Sequence, residues 1–143
     1  MLGNDIVSIC SEKNLNSFQR KKYIEYCFSH TERTRIVSMG VNIAFLFWSA
    51  KESAYKCFVK MGLREKFNPF DYSCTIQQFG LQKEVTGVVQ YKSKSLSFIS
   101  EITDQYIHTI CESDHRYGAV SKQILHIDAP EMINAGQILR NHL

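Results

Sequence analysis

Phe47-Trp48-Ser49-Ala50-Lys51-Glu52-Ser53-Ala54-Tyr55-Lys56 decides how the rest of the chain is read. No Gly or Pro occurs from Val41 to Met61, and the apolar spacing is that of a helix. The uninterrupted apolar block from Ile43 to Trp48 belongs to a helix that is buried almost all round. Glu52 and Lys56 stand four residues apart, so their side chains share one face, one turn from each other. Ser49, three residues before Glu52, falls on roughly the same face. A mostly buried helix with one charged stripe is either a structural helix at a surface or the wall of a site.

Working outward, Gly40 and Gly62 bracket this helix, with Asn42 expected as its N-cap. Before it, the second half of Leu2–Cys10 alternates β-branched and small residues and reads as a strand that Asp5 enters behind Gly3 and Asn4. Ser11–Asn16 is polar and is predicted as a loop, followed by a helix from Ser17 to about Phe28. Arg20, Lys21 and Lys22 cluster in its first half, against the preference set by the helix dipole. Ser29-His30-Thr31-Glu32 fits a capping box that opens a short helix to about Met39.

After Gly62 the period changes. Phe67–Phe70 reads as a turn, and β-like runs follow at about Asp71–Phe79, Glu84–Lys92, Leu96–Ile102 and Tyr106–Glu112, with Gly87 a candidate bulge. Tyr117–Ile127 is predicted as one more strand. Asp128-Ala129-Pro130-Glu131 is a second capping box, opening a last helix with apolar residues at Met132, Ala135, Leu139 and Leu143. The expected order is strand, three helices, antiparallel strands, helix. That is an α+β fold with the long helix packed on an antiparallel sheet, one domain over residues 1–143.

Composition sets the outer limits. With 143 residues, 44% hydrophobic, 12% aromatic and 22% charged, the chain is globular and long enough for a real core. A formal charge of +3 suits an anionic partner but is too mild for a nucleic-acid-binding tail, and no nucleic-acid motif is present. Five scattered cysteines without a C-x-x-C pair argue against a disulfide framework or zinc site and for a reducing, cytoplasmic setting. Asp5 interrupts an apolar run that has no basic leader, which argues against a signal peptide. The apolar block is too short to span a membrane.

Taken singly, the charged residues are ordinary. An Asp after Gly-Asn is most often a turn or strand-start residue. A Glu–Lys pair at i, i+4 is most often a solvated staple worth roughly 0.3–0.5 kcal/mol. The combination is more specific. Gly3-Asn4-Asp5-Ile6-Val7, followed by Trp48-Ser49-Ala50-Lys51-Glu52-Ser53-Ala54-Tyr55-Lys56, resembles the 4′-phosphopantetheinyl transferases, which include the holo-acyl-carrier-protein synthases. Phe28–Arg33 is a weaker intermediate match, and Phe67–Tyr72 resembles the strand entry after the family's long helix. The likeness covers about the first half of the chain and loosens after Lys83.

The resemblance implies a Mg²⁺-dependent transfer of the phosphopantetheine arm of coenzyme A to a serine of an acidic acyl or peptidyl carrier protein, with release of 3′,5′-ADP. Such chemistry is mostly positioning and charge neutralisation. Asp5 and Glu52 match the family's metal ligands, and Mg²⁺ suits one or two carboxylates completed by substrate phosphates and water. Lys56 is expected to face the phosphates and stabilise the leaving group, with Lys51 a second phosphate contact. The acceptor of the serine proton is either Glu52 or a metal-bound water. Arg20, Lys21 and Lys22 suit the acidic helix of a carrier protein.

Two departures accompany the likeness. Longer family members carry a third acidic ligand two residues after the strand Asp, where this chain has Val7. The stretch from Thr109 to Tyr117 matches the family's later motif poorly, so no role passes to His108 or His115. A single copy of the unit implies a homo-oligomer, as a trimer. The alternative is a non-catalytic member of the same fold that binds coenzyme A or a carrier protein without turnover.

Overall fold

The computed structural model describes residues 1–113. The strand and helix expected at Tyr117–Ile127 and 128–143 lie outside the described residues. Five strands, β1 (Leu2–Ser8), β2 (Tyr72–Phe79), β3 (Glu84–Tyr91), β4 (Lys94–Ile102) and β5 (Tyr106–Glu112), form one antiparallel sheet in the order β1-β5-β4-β3-β2. Four helices precede β2: α1 (Glu12–Gln19), α2 (Lys21–Cys27), α3 (His30–Met39) and α4 (Val41–Lys60). The fold is α+β, with α4 lying across the sheet chiefly on β1 and β5.

The buried side of α4 holds Ile43 through Phe47, Ala50, Ala54, Cys57 and Phe58. Each large side chain among them contributes about 1.5–3 kcal/mol when fully buried. Ala50, Ser53, Ala54 and Cys57 are small, and that lets β1 approach closely. Gly3 sits so near α4 that a Cβ there would collide with the Ser53 carbonyl and the Cys57 backbone nitrogen. Ser53 Oγ donates to Thr109 O at 3.0 Å, and Thr109 is the register partner of Asp5. Helix, β1 and β5 are thus pinned together at the level of Asp5.

Four expectations change. Ser11–Asn16 is not a loop, because α1 starts at Glu12, where Leu15 and the buried Phe18 supply an apolar stripe that the polar run concealed. The helix expected over Ser17–Phe28 is two helices, broken where Arg20 adopts an extended conformation, φ −83° and ψ 115°. The break lets Phe18 pack on Tyr23, Phe28, Phe45 and Trp48 together. Asn42 is not a cap. Gly40, at φ 98°, ends α3 and starts α4 with no spacer, so Asn42 falls within the first turn. The bulge lies in β2 between Ile76 and Gln78, across from Gly87, where the Phe98 ring and Thr75 carbonyl fill the space of a Cβ.

The capping box at Ser29 forms as expected: Ser29 Oγ accepts from Glu32 N, and Glu32 Oε2 accepts from Ser29 N. The five cysteines form no disulfide among the described residues, and four of them are buried. Among the described residues no helix is long and apolar enough to cross a membrane.

Candidate active site

Asp5 sits mid-strand in β1 and is 7% exposed, an unusual place for a carboxylate without a partner. Its partner comes from α4. Lys56 Nζ donates to Asp5 Oδ1 at 2.8 Å and lies 3.2 Å from Glu52 Oε1, so one ammonium spans two carboxylates. Lys56 and Glu52 keep about a quarter to a third of their side-chain surface, 26% and 30%, so the cluster opens to solvent on the α4 side. The structure brings Asp5, Glu52 and Lys56 together across 51 residues of sequence.

Charge is unbalanced here. Burial raises the Glu52 carboxyl above its usual range, and the negative charge of Asp5 raises it further. Lys56 and a side-chain hydrogen bond with Trp48 act in the opposite sense without cancelling the rise. Two carboxylates with a single ammonium are short of one positive charge. Among the described residues no three His, Cys, Asp or Glu side chains converge as a closed metal cage. The two carboxylates with their unbalanced charge fit a hard divalent cation such as Mg²⁺, its other positions left to water and phosphate oxygens.

Lys51, expected at the phosphates, is elsewhere. Its ammonium is fully buried and donates to Glu32 Oε2 at 2.7 Å, Cys27 O at 2.9 Å and Pro69 O at 3.0 Å. The Phe28 ring lies 5.0 Å from it. An ammonium has three N–H donors, and all three are committed inside the protein. Glu32 is equally engaged, because its Oε1 accepts from Cys74 N at 2.7 Å while Oε2 also accepts from Ser29 N. This ion pair joins α2, α3, α4, β2 and the 3-10 turn Pro69–Asp71. Lys51 is a structural residue in this chain and not a phosphate contact.

The remaining predicted residues are placed as follows. Val7, at the position of a third acidic ligand in longer relatives, is part of the hydrophobic core. Ser49 shares the Glu52 side of α4 only nominally, being fully buried. Arg20, Lys21 and Lys22 are exposed at the α1–α2 junction. They do not touch the carboxylates, but Tyr23, next in sequence, packs on Trp48 with ring centroids 6.1 Å apart, one turn before Glu52. Burial pushes the Tyr23 hydroxyl up to about 12, with smaller contributions from Cys27 and Glu52. Tyr23 is thus a neutral neighbour of Glu52 that sequence reading passed over; the only signal was its spacing from the buried Phe18. Glu32 was read as a cap alone, and its second role has no local sequence signature.

The long helix α4 laid over an antiparallel sheet, with an acidic pair and a lysine where it meets β1, defines an α+β unit. The sequence profile of the 4′-phosphopantetheinyl transferase superfamily matches residues 1–111, and the chain belongs to that superfamily. Among solved structures, the holo-[acyl-carrier-protein] synthase of Helicobacter pylori in complex with coenzyme A is similar, with a TM-score of 0.58 at 18% identity. The alignment covers 78% of this chain and 97% of that one, and it shows a shared fold. No curated protein sequence gives a significant match.

Proposed function

We propose that this protein transfers the 4′-phosphopantetheine group of coenzyme A to a serine of an apo acyl or peptidyl carrier protein, releasing 3′,5′-ADP. The convergence of Asp5, Glu52 and Lys56 carries the reading. Superfamily membership and the fold shared with a synthase described in complex with coenzyme A support the choice of donor.

In this reading Asp5 and Glu52 would hold Mg²⁺, which would supply positive charge to the pyrophosphate. The carrier serine oxygen forms a bond to the β-phosphorus as the pyrophosphate P–O bond breaks, and 3′,5′-ADP leaves with the bonding electron pair. Glu52, on the partly exposed side of the cluster, accepts the serine proton. Lys56, already 2.8 Å from Asp5, turns its ammonium to the departing phosphate oxygen. Arg20, Lys21 and Lys22 steer the acidic carrier by charge. The working unit is the single domain of residues 1–143 in the cytoplasm, assembled as a trimer in which a second copy supplies the opposite wall of the cleft.

Mass spectrometry of apo carrier proteins from the source organism, incubated with coenzyme A, Mg²⁺ and this protein, tests the reading. A gain of one phosphopantetheine on a carrier is expected. Binding of coenzyme A with no mass gain on any carrier would favour the non-catalytic alternative. Light scattering of the active protein as a monomer would reject the trimer. Independently of turnover, Mg²⁺ should raise the melting temperature of wild type and leave that of Asp5→Ala unmoved.

A further inference from the structure

Side chains alternate across a strand, so the residues between those that meet α4 point to the far face of the sheet. Gly3, Asp5 and Thr109 meet α4, which turns Asn4, Ile6, His108 and Ile110 outward. Register carries the pattern across the sheet. Ile110 faces Asn4 on one side and Ile99 on the other, and Ile99 faces Thr86. Leu2, Glu112, Ser97 and Val88 form the next outward row.

The two halves of this outer face differ. Toward β2 it is polar and solvated, with Ser73, Thr75, Gln78 and Gln90 exposed. Over β1 and β5 none of the outward side chains is exposed, although Leu2, Ile6 and Ile110 are among them. Asn4, on an edge strand, keeps 8% of its surface and Ile110 only 6%. Ile110 is buried without belonging to the core cluster around α4. An open face of an antiparallel sheet carries polar residues, so this half has the character of a covered one. Glu112 Oε2, on the same side, is buried with no hydrogen-bond partner among the described residues, and such an oxygen takes a donor from beyond them.

We infer that residues 114–143 cover the outer face over β1, β5 and β4, as a third layer beyond the superfamily unit, whose profile ends at residue 111. Attachment favours this occupant. β5 ends at Glu112, and Ser113 N donates to Met1 O at 3.2 Å, so the segment starts at the β1–β5 end of the covered half. Chemistry agrees, because Met132, Ala135, Leu139 and Leu143 give the helix expected there one apolar stripe. Arg116, Lys122 and Arg140 in the same segment are candidate donors for Glu112. A helix over 128–143 would be about 24 Å long and a seven-residue strand is about 23 Å, so one helix matches β1 end to end. Joined at Ser113, the segment meets the face at an effective concentration on the order of millimolar, which favours it over a second copy of the chain. β1 carries Asp5 inward and Asn4 and Ile6 outward, so the cover also clamps the strand that presents Asp5 to α4.

Photo-crosslinking of the full chain tests this, with p-benzoylphenylalanine placed at position 99, on the covered half, or at position 75, on the open half. Products are mapped by mass spectrometry from a mixture of isotope-labelled and unlabelled protein, which separates links within one chain from links between copies. Position 99 should link to residues 114–143 of the same chain, and position 75 should not. Links from position 99 to a second copy, no link to 114–143, or equal linking from both positions overturns the inference. Leu139→Asp gives a readout without a bulky probe. Hydrogen exchange of the backbone amides should quicken about tenfold in β1 and β5 and keep its wild-type rate in β2. Exchange unchanged throughout, or quickened equally in all five strands, also overturns it.

Discussion

Lys51 and Lys56 stand five residues apart in one helix and have opposite fates. Lys51 is without solvent exposure and saturated by three acceptors, one of them the buried Glu32 carboxylate. Lys56 is 26% exposed and, among the described residues, meets two carboxylate oxygens, which leaves it one donor for a ligand. The difference arises from what α4 packs against. On the Lys51 side α2 and the 3-10 turn close over the ammonium with the Cys27 and Pro69 carbonyls, and α3 with the Glu32 carboxylate. On the Lys56 side, among the described residues, the ammonium meets Asp5 of β1 and Glu52 of its own helix. One helix therefore carries a buried rivet and a partly exposed charged cluster about 7.5 Å apart along its axis.

The largest test of this contrast is thermal. Lys51→Met leaves Glu32 buried without its counter-charge, and breaking a buried pair in this way costs about 3–5 kcal/mol. The melting temperature should fall by roughly 10–20 °C. Lys56→Met should cost about 1–2 kcal/mol, because water reaches that cluster, yet abolish transfer. Equal melting temperatures for the two variants would break the comparison.

Gly3→Ala comes next. Its methyl group meets the Ser53 carbonyl and the Cys57 backbone, so β1 must lift from α4 at a cost of about 1–3 kcal/mol. Because Asp5 rides on the same strand, activity should fall along with stability, read by paired melting and transfer assays.

A smaller effect comes from Glu52. Its carboxyl is raised in the folded state, first by burial and then by Asp5, so the native chain binds the proton more tightly than the unfolded chain. The associated stability is present below the unfolded value of 4.5 and is lost as pH rises through the raised native value. Glu52→Gln should therefore melt slightly higher than wild type at neutral pH, with the gap closing in acid. A gap that widens in acid has the wrong sign. The smallest effect is that of charge reversal at Arg20, Lys21 and Lys22, which should slow carrier modification at low salt and little at high salt.

The sequence made the long helix, the Gly40 and Gly62 breaks and the strands from Tyr72 to Glu112 legible, because each rests on local periodicity or a turn residue. The junction at Arg20 was hidden because tertiary packing of Phe18 on four aromatic rings, and not a breaker residue, sets it. The i, i+4 spacing of Glu52 and Lys56 was readable directly. Asp5 joined them only through a family likeness, since nothing local ties residue 5 to residue 56. Lys51 was misread for a related reason. Adjacent to Glu52, it looked like part of the same stripe, but one residue of helix turns a side chain by 100°, and its acceptors come from Cys27, Glu32 and Pro69.

The central claim is that the Asp5–Glu52 pair, organised by Lys56, performs the transfer. The most direct measurement is the intact mass of an apo carrier protein after incubation with coenzyme A, Mg²⁺ and either wild type or Glu52→Ala. The expected result is a gain of one phosphopantetheine with wild type and none with Glu52→Ala, at a circular dichroism spectrum common to both. A carrier modified by Glu52→Ala at the wild-type rate would contradict it.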